Sequence, residues 1–238
     1  MNKLAVVTGG SRGIGFEIAR SLVLEGYDIL LIARNADRLQ AAAAALSVEY
    51  GPKIYPLAVD LTDFHATQTA FSTDIIQDRP VDVLVNSAGV FMYGTSELTT
   101  DQITELFKIN FIAMHHVCTL LRKRLIEAKI SYVFNISSIA GLQSFPFIGG
   151  YSASKCAIAG YSNSLAEELR KHNTFVTTLF PDIVDTDMSL SSTLDRALMI
   201  PAGDIAKTIK FIMSLSNNTY INNISLGCTS ISPNAIAR

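Results

Sequence analysis

An alternation restricts the fold more than any other feature of this chain. Short runs dominated by Val, Ile and Leu recur between longer stretches in which apolar residues return with helical period. Strands that are apolar on both sides belong to parallel sheets covered by helices on each face. The pattern predicts strands at residues 4–7, 28–33, 53–59, 81–85, 131–136, 174–180 and 223–225. Helices are expected at 14–25, 36–50, 67–77, 100–127, 151–172 and 203–214. The reading is an α/β protein with a doubly wound, seven-stranded parallel sheet. No Gly/Ser-rich or Pro-rich linker interrupts the series, so residues 1–238 are read as a single domain.

Composition narrows the possible functions. Lys and Arg number 19 against 21 Asp and Glu, a net charge of −2, which provides no basic field for wrapping nucleic acid. Apolar residues make up 49% and charged residues only 17%, so much of the surface is expected to be covered. No stretch has the length of a membrane span, and the apolar run after Met1-Asn2-Lys3 is too short for a signal peptide. Cys118, Cys156 and Cys228 are odd in number and form no CxxC pair, which fits a reducing cytoplasmic compartment. His115 and His116 are adjacent in a helical stretch and point about 100° apart, so no metal site is expected. The five alanines at 41–45 read as a close-packed helix.

The first strand runs directly into Thr8-Gly9-Gly10-Ser11-Arg12-Gly13-Ile14-Gly15, and a helix follows. Such a turn lets the backbone approach a pyrophosphate, which the helix amino terminus then stabilises. A glycine-rich turn alone is equally compatible with a merely tight connection. The second strand ends Ile32-Ala33-Arg34 with no acid at its tip, because Asp28 lies at the other end and Asp37 in the next element. An acid there binds a ribose 2′-hydroxyl, whereas arginine accommodates a 2′-phosphate. Arg12 and Arg34 are suited to hold that dianion, which favours NADP(H) over NAD(H). The alternative is a pair of solvated surface arginines.

Four further signals follow in order: Asn86-Ser87-Ala88-Gly89, Asn110, Ser137-Ser138, and Tyr151 with Lys155 four residues on. At that spacing on a helix the phenol and the ammonium share a face. A nearby cation favours phenolate, so Lys155 is expected to lower the Tyr151 pKa. A drop of about three pH units requires roughly 4 kcal/mol, which calls for help from an oxidised nicotinamide.

With the glycine loop, these residues resemble the short-chain dehydrogenase/reductase family over essentially the whole chain, particularly its 3-oxoacyl-carrier-protein reductase-like carbonyl reductases. The resemblance implies a Rossmann fold, a nicotinamide cofactor and a catalytic set of Asn110, Ser138, Tyr151 and Lys155. Tyr151 would be the general acid in reduction and the general base in oxidation. Ser138, preferred to its neighbour Ser137, would steady charge on the carbonyl oxygen. Lys155 would also bind the nicotinamide ribose, and Asn110 would hold a water for proton delivery; the alternative for Asn110 is a buried amide satisfying backbone groups.

The implied cofactor contacts are Gly9, Ser11, Arg12, Gly13, Ile14, Gly15, Arg34, Asp60, Leu61, Asn86, Ala88, Gly89, Tyr151, Lys155, Pro181, Ile183 and Thr186. For Asp60 a turn cap is an equally good reading. Where the family carries Pro-Gly, this chain has Pro181-Asp182. Family topology brings Phe91, Met92, Tyr93, Leu142, Phe145, Phe147 and residues 186–199 around the substrate, unless the aromatics are core packing. The implied function is reversible ketone or aldehyde reduction, on 3-oxoacyl-type or other apolar carbonyl substrates. The family's tetramers lead to an expected homotetramer or homodimer, with no nucleic-acid or membrane partner. A non-catalytic NADP-binding regulatory or scaffold protein is the alternative, but it would have no use for the complete set of four. Epimerases of the extended branch need a larger carboxyl-terminal region, and enoyl reductases space Tyr and Lys more widely.

Overall fold

Leu4, Ala5, Val6 and Val7 expose no surface, as expected of a strand in the middle of a sheet with helices on both sides. The computed structural model of the protein describes residues 2–47, 51–190, 192 and 194–229. Its strands are β1 (Leu4–Thr8), β2 (Asp28–Ala33), β3 (Ile54–Ala58), β4 (Val83–Asn86), β5 (Ser131–Ile136), β6 (Thr174–Pro181), β7 (Val184–Asp185), β8 (Ile200–Pro201) and β9 (Asn223–Leu226). Seven of them form one sheet in the order β3-β2-β1-β4-β5-β6-β9, and every pairing is parallel.

The helices are α1 (Gly13–Leu24), α2 (Ala36–Leu46), α3 (Phe64–Ala70), α4 (Asp74–Gln77), α5 (Thr100–Phe107), α6 (Ala113–Glu127), α7 (Gly149–Leu169) and α8 (Ala202–Met213). Strand alternation distributes the core between two faces. Ala5, Val7, Ile29 and Leu31 pack with Ile18, Leu22, Ile205 and Ile209 of α1 and α8. Leu4, Val6, Leu30 and Ile32 pack with Val117, Leu121, Leu165 and Leu169 of α6 and α7. This is the doubly wound Rossmann arrangement. Because β1 has β2 on one side and β4 on the other, the winding direction reverses there, and a crevice opens beyond their carboxyl ends.

Three expected helices change on folding. The one expected at 67–77 is two, α3 and α4: Ser72 Oγ donates to the Gln68 carbonyl at 3.0 Å, and Gln77 Nε2 donates to the Phe71 carbonyl at 3.0 Å. Side chains that bond local carbonyls in this way compete with helix continuation. The helix expected at 100–127 is interrupted by a π-turn at Lys108–Ile112, which contains Asn110. That expected at 36–50 ends at Leu46, where Ser47 Oγ donates to the Ala43 carbonyl, and residues 48–50 lie outside the described set. Within the alanine run only Ala42 and Ala43 are buried. The pair β7 and β8, which the sequence reading lacked, forms a separate two-stranded parallel sheet.

Candidate active site

Thr8 at the tip of β1 organises the crevice. Its hydroxyl accepts from the amides of Ser87 at 3.1 Å and Ala88 at 3.3 Å, so the glycine loop and the turn after β4 are held against each other. Gly9 has φ +66°, and a Cβ there would stand 2.8 Å from the Ala88 amide nitrogen. Gly13, at φ +55°, faces Thr186. A side chain at either position would fill the cradle that backbone amides and the uncapped start of α1 offer to an anion.

A groove extends from this cradle. Gly9, Ser11, Arg12, Gly13 and Ile14 line one wall, Arg34, Asp60 and Leu61 a second, and Ala88, Gly89 and Thr186 a third. Asn86 and Gly15 do not line it. Asn86 is buried beneath, where its Nδ2 donates to Asn135 Oδ1 at 2.8 Å and ties β4 to β5, and Gly15 is buried within α1. Asp60 lines the groove and caps a turn at once, accepting from the Thr62 amide at 2.9 Å; that bond, with Arg34 nearby, holds its carboxyl below the usual range.

Arg12 and Arg34 both line the groove, and a third arginine, Arg38, joins them. Sequence reasoning missed Arg38, which lies in the first turn of α2, where Asn35 caps the helix by accepting from the Arg38 amide. The Arg12 guanidinium meets Asp187 at 2.7 Å, and Arg34 stands 3.9 Å from Asp60. Both pairs are largely solvated, so they are weak and exchangeable.

Next to the groove, and sharing Gly89 and Thr186 with it, lies a second, largely apolar cavity lined by Ser138, Tyr151, Lys155, Pro181 and Ile183. Tyr151 and Lys155 come from successive turns of α7, and the ammonium stands 5.6 Å from the phenol ring centroid. Burial dominates both groups. It pushes the Tyr151 phenol up to about 12, with the Ser138 hydroxyl pulling the other way, and it lowers Lys155 to about 8. The lowering of Tyr151 expected from Lys155 alone is therefore not produced by the protein's own groups, because the charged forms of both lose water. Lys155 Nζ is anchored by donating to the Ile136 carbonyl at 3.0 Å.

The two serines differ. Ser137 is buried and its hydroxyl donates to the Lys155 carbonyl at 3.0 Å, a structural tie between β5 and α7. Ser138 begins a short 3₁₀ turn, accepts from the Ala140 amide at 3.2 Å, and keeps its O–H for the cavity. Asn110 is fully engaged: Oδ1 accepts from the Val90 amide at 2.8 Å, and Nδ2 donates to the Val90 carbonyl and to Ser154 Oγ, both at 3.0 Å. Ser154 in turn donates to the Tyr151 carbonyl at 2.7 Å. The Asn110 side chain thus clamps the turn bearing Gly89 to the helix bearing Tyr151.

Among the expected substrate aromatics, Phe91 packs edge-on against Tyr151 at 4.9 Å and lines the cavity, as does Tyr93. Met92 and Phe145 pack around Tyr151 in a small core cluster. Leu142 and Phe147 do not line the cavity; they are 54% and 57% exposed. From the expected segment 186–199, Thr186, Met188, Ser189 and Ser192 line it, joined by Val184, an apolar residue just beyond the end of β6 that sequence reasoning missed. Among the described residues no group of His, Cys, Asp or Glu is arranged to hold a metal, and no helix is long and apolar enough to cross a membrane. His115 and His116 pack edge-on against Tyr161 and Phe64.

A nucleotide-shaped groove at the switch of a parallel sheet, joined to a cavity holding a Ser, a Tyr and a Lys, defines a Rossmann oxidoreductase site. The chain belongs to the short-chain dehydrogenase family, whose model matches residues 3–197. It is 31% identical over 232 residues to the 3-oxoacyl-[acyl-carrier-protein] reductase FabG of Chlamydia trachomatis serovar D, covering 93% of each chain. A betaketoacyl-[ACP] reductase (FabG) from Bacteroides thetaiotaomicron superposes with a TM-score of 0.81 at 32% identity, over 95% of this chain and 96% of that one. A metagenomic short-chain oxidoreductase solved in complex with NADP superposes with a TM-score of 0.81 at 31% identity, over 96% and 98%. The chain is thus an oxidoreductase of a family that acts on CH–OH and keto groups with nicotinamide cofactors.

Proposed function

We propose that this protein reduces a ketone or aldehyde to an alcohol with NADPH, reversibly, on an apolar carbonyl substrate of which 3-oxoacyl compounds are one class. The observation that carries the reading is the convergence of Ser138, Tyr151 and Lys155 on an apolar cavity that opens onto the glycine-lined groove. The cradle at Gly9 and Gly13 fits a pyrophosphate, and Arg12, Arg34 and Arg38 suit a 2′-phosphate. The NADP complex of the metagenomic relative and the names of the two reductases support the same reading.

When bound, NADPH supplies a hydride to the carbonyl carbon. Tyr151 gives its phenolic proton to the carbonyl oxygen, and the high pKa that burial imposes keeps that proton in place until charge develops. Ser138 donates a hydrogen bond to the same oxygen. Lys155, as a cation, stabilises the phenolate that Tyr151 becomes and would hold the nicotinamide ribose. Asn110 is a positioning residue, acting through Val90 and Ser154. Phe91 and the apolar walls exclude water from the reacting atoms.

The test follows absorbance of reduced nicotinamide with a panel of ketones, diketones, aldehydes and 3-oxoacyl thioesters, in wild type and Tyr151→Phe. Turnover in wild type that collapses in the variant is expected; equal rates would sink the mechanism. A preference for NADH would sink the cofactor assignment. The homotetramer or homodimer that goes with this reading is checked by light scattering.

A further inference from the structure

The loop that follows β6 carries three carboxylates, and they do not have equivalent surroundings. Asp185 is paired with Arg196, and Asp187 with Arg12. Asp182 has no ion pair among the described residues. It is half-buried, it lines the reaction cavity, and among the described residues it is the only carboxylate that does. One oxygen, Oδ1, accepts from the Ile183 amide at 3.0 Å, which fixes the side chain at the loop's start. The Asp182 amide itself donates to the Leu226 carbonyl at 2.9 Å, so the backbone cannot easily swing the carboxylate away. The second oxygen takes no protein donor among the described residues and is not sealed from solvent. Lys155, the one cation lining the same cavity, forms no ion pair with it.

We infer that Asp182 is a specificity-determining residue, whose fixed, unpaired carboxylate turns away substrates carrying an anionic group near the reacting carbonyl and favours those carrying an ammonium or hydroxyl donor there. The inference rests on the carbonyl-reduction reading above. A negative charge held in a partly solvated cavity disfavours a second one by about ten- to a hundredfold at an effective dielectric of about 20, and it favours a cation by a similar factor. Neutral substrates feel neither effect, so the signature is a ratio between matched substrates and not a rate.

The experiment compares kcat/KM with NADPH for three compounds of equal chain length: an alkyl 3-oxo ester, the corresponding 3-oxo carboxylate, and the ester with a primary ammonium in place of its terminal methyl. Wild type should rank ammonium above ester above carboxylate, with at least about a tenfold ester-to-carboxylate ratio. In Asp182→Asn and Asp182→Gly both ratios should narrow by about tenfold. A second measurement needs no variant: raising the salt concentration should narrow the wild-type ratios, since screening weakens the field of a solvent-accessible charge. Ester turnover with ratios unchanged in both variants, or indifferent to salt in wild type, overturns the role of Asp182 alone. Wild type that reduces none of the three while reducing other carbonyls overturns this inference; wild type inert toward the whole panel overturns the carbonyl-reduction reading, and this inference with it.

Discussion

The nucleotide groove and the reaction cavity share a wall at Gly89 and Thr186, yet they handle charge in opposite ways. In the groove the Arg12 and Arg34 side chains are 55% and 76% exposed, and each already has a carboxylate nearby. In the cavity Tyr151 and Lys155 are only 9% and 6% exposed, and burial displaces the titration of both. Exposed guanidinium groups lose little water, can exchange one anion for another, and are screened by salt. A buried phenol and amine are held by backbone and neighbouring side chains, and their protonation is the property that matters. The charges of one region stay open to exchange with solvent and ions, and those of the other are governed by burial.

Changes inside the cavity should therefore have the largest effects. Tyr151→Phe removes the proposed proton donor, and kcat/KM should fall by about 10²- to 10⁴-fold in a steady-state assay. In the groove, Arg12→Ala with Arg34→Ala should cut NADPH affinity by about thirtyfold per arginine at most, leaving NADH affinity nearly unchanged, as read by cofactor fluorescence titration. That loss should shrink as salt rises, whereas the Tyr151→Phe defect should not.

A smaller effect concerns pH. Lys155 sits at about 8, below the ordinary 10.5, so it is a cation below pH 8 and neutral above. Carbonyl reduction, which needs that cation opposite the nascent phenolate, should decline as pH rises through about 8, with Tyr151 still protonated there because burial holds it near 12. A pH–rate profile flat to pH 10 would show that the amine works uncharged. The smallest effect is expected for Asp187→Asn, which frees Arg12 from a solvated ion pair and should raise NADPH affinity by no more than a few-fold.

Much of this was legible in the sequence because the signals were local. Apolar runs located the seven strands of the main sheet to within two residues, since strands buried on both faces need such runs. The glycine loop, Ser138, Tyr151 and Lys155 were legible because tight turns and helical spacing are short-range. Tertiary outcomes were less so. Nothing local names Val90 and Ser154 as the partners of the Asn110 amide, or Asn135 as the partner of Asn86. Leu142 and Phe147 have the residue type of pocket walls but point to solvent, whereas Met188 and Ser192, within the expected segment 186–199, line the cavity. The π-turn around Asn110 and the pair β7 and β8 likewise depend on long-range packing.

That small pair of strands has its own consequence. Val184 opposite Ile200 and Asp185 opposite Pro201 close the base of the segment between them like a hem, and Val184 and Ile200 seat it in the main core. The two ends of the segment between residues 186 and 199 are thereby anchored to the core of the sheet. Changes within that segment therefore reach the cavity through Met188 and Ser189 and the groove through Thr186 and Asp187, from one anchored base.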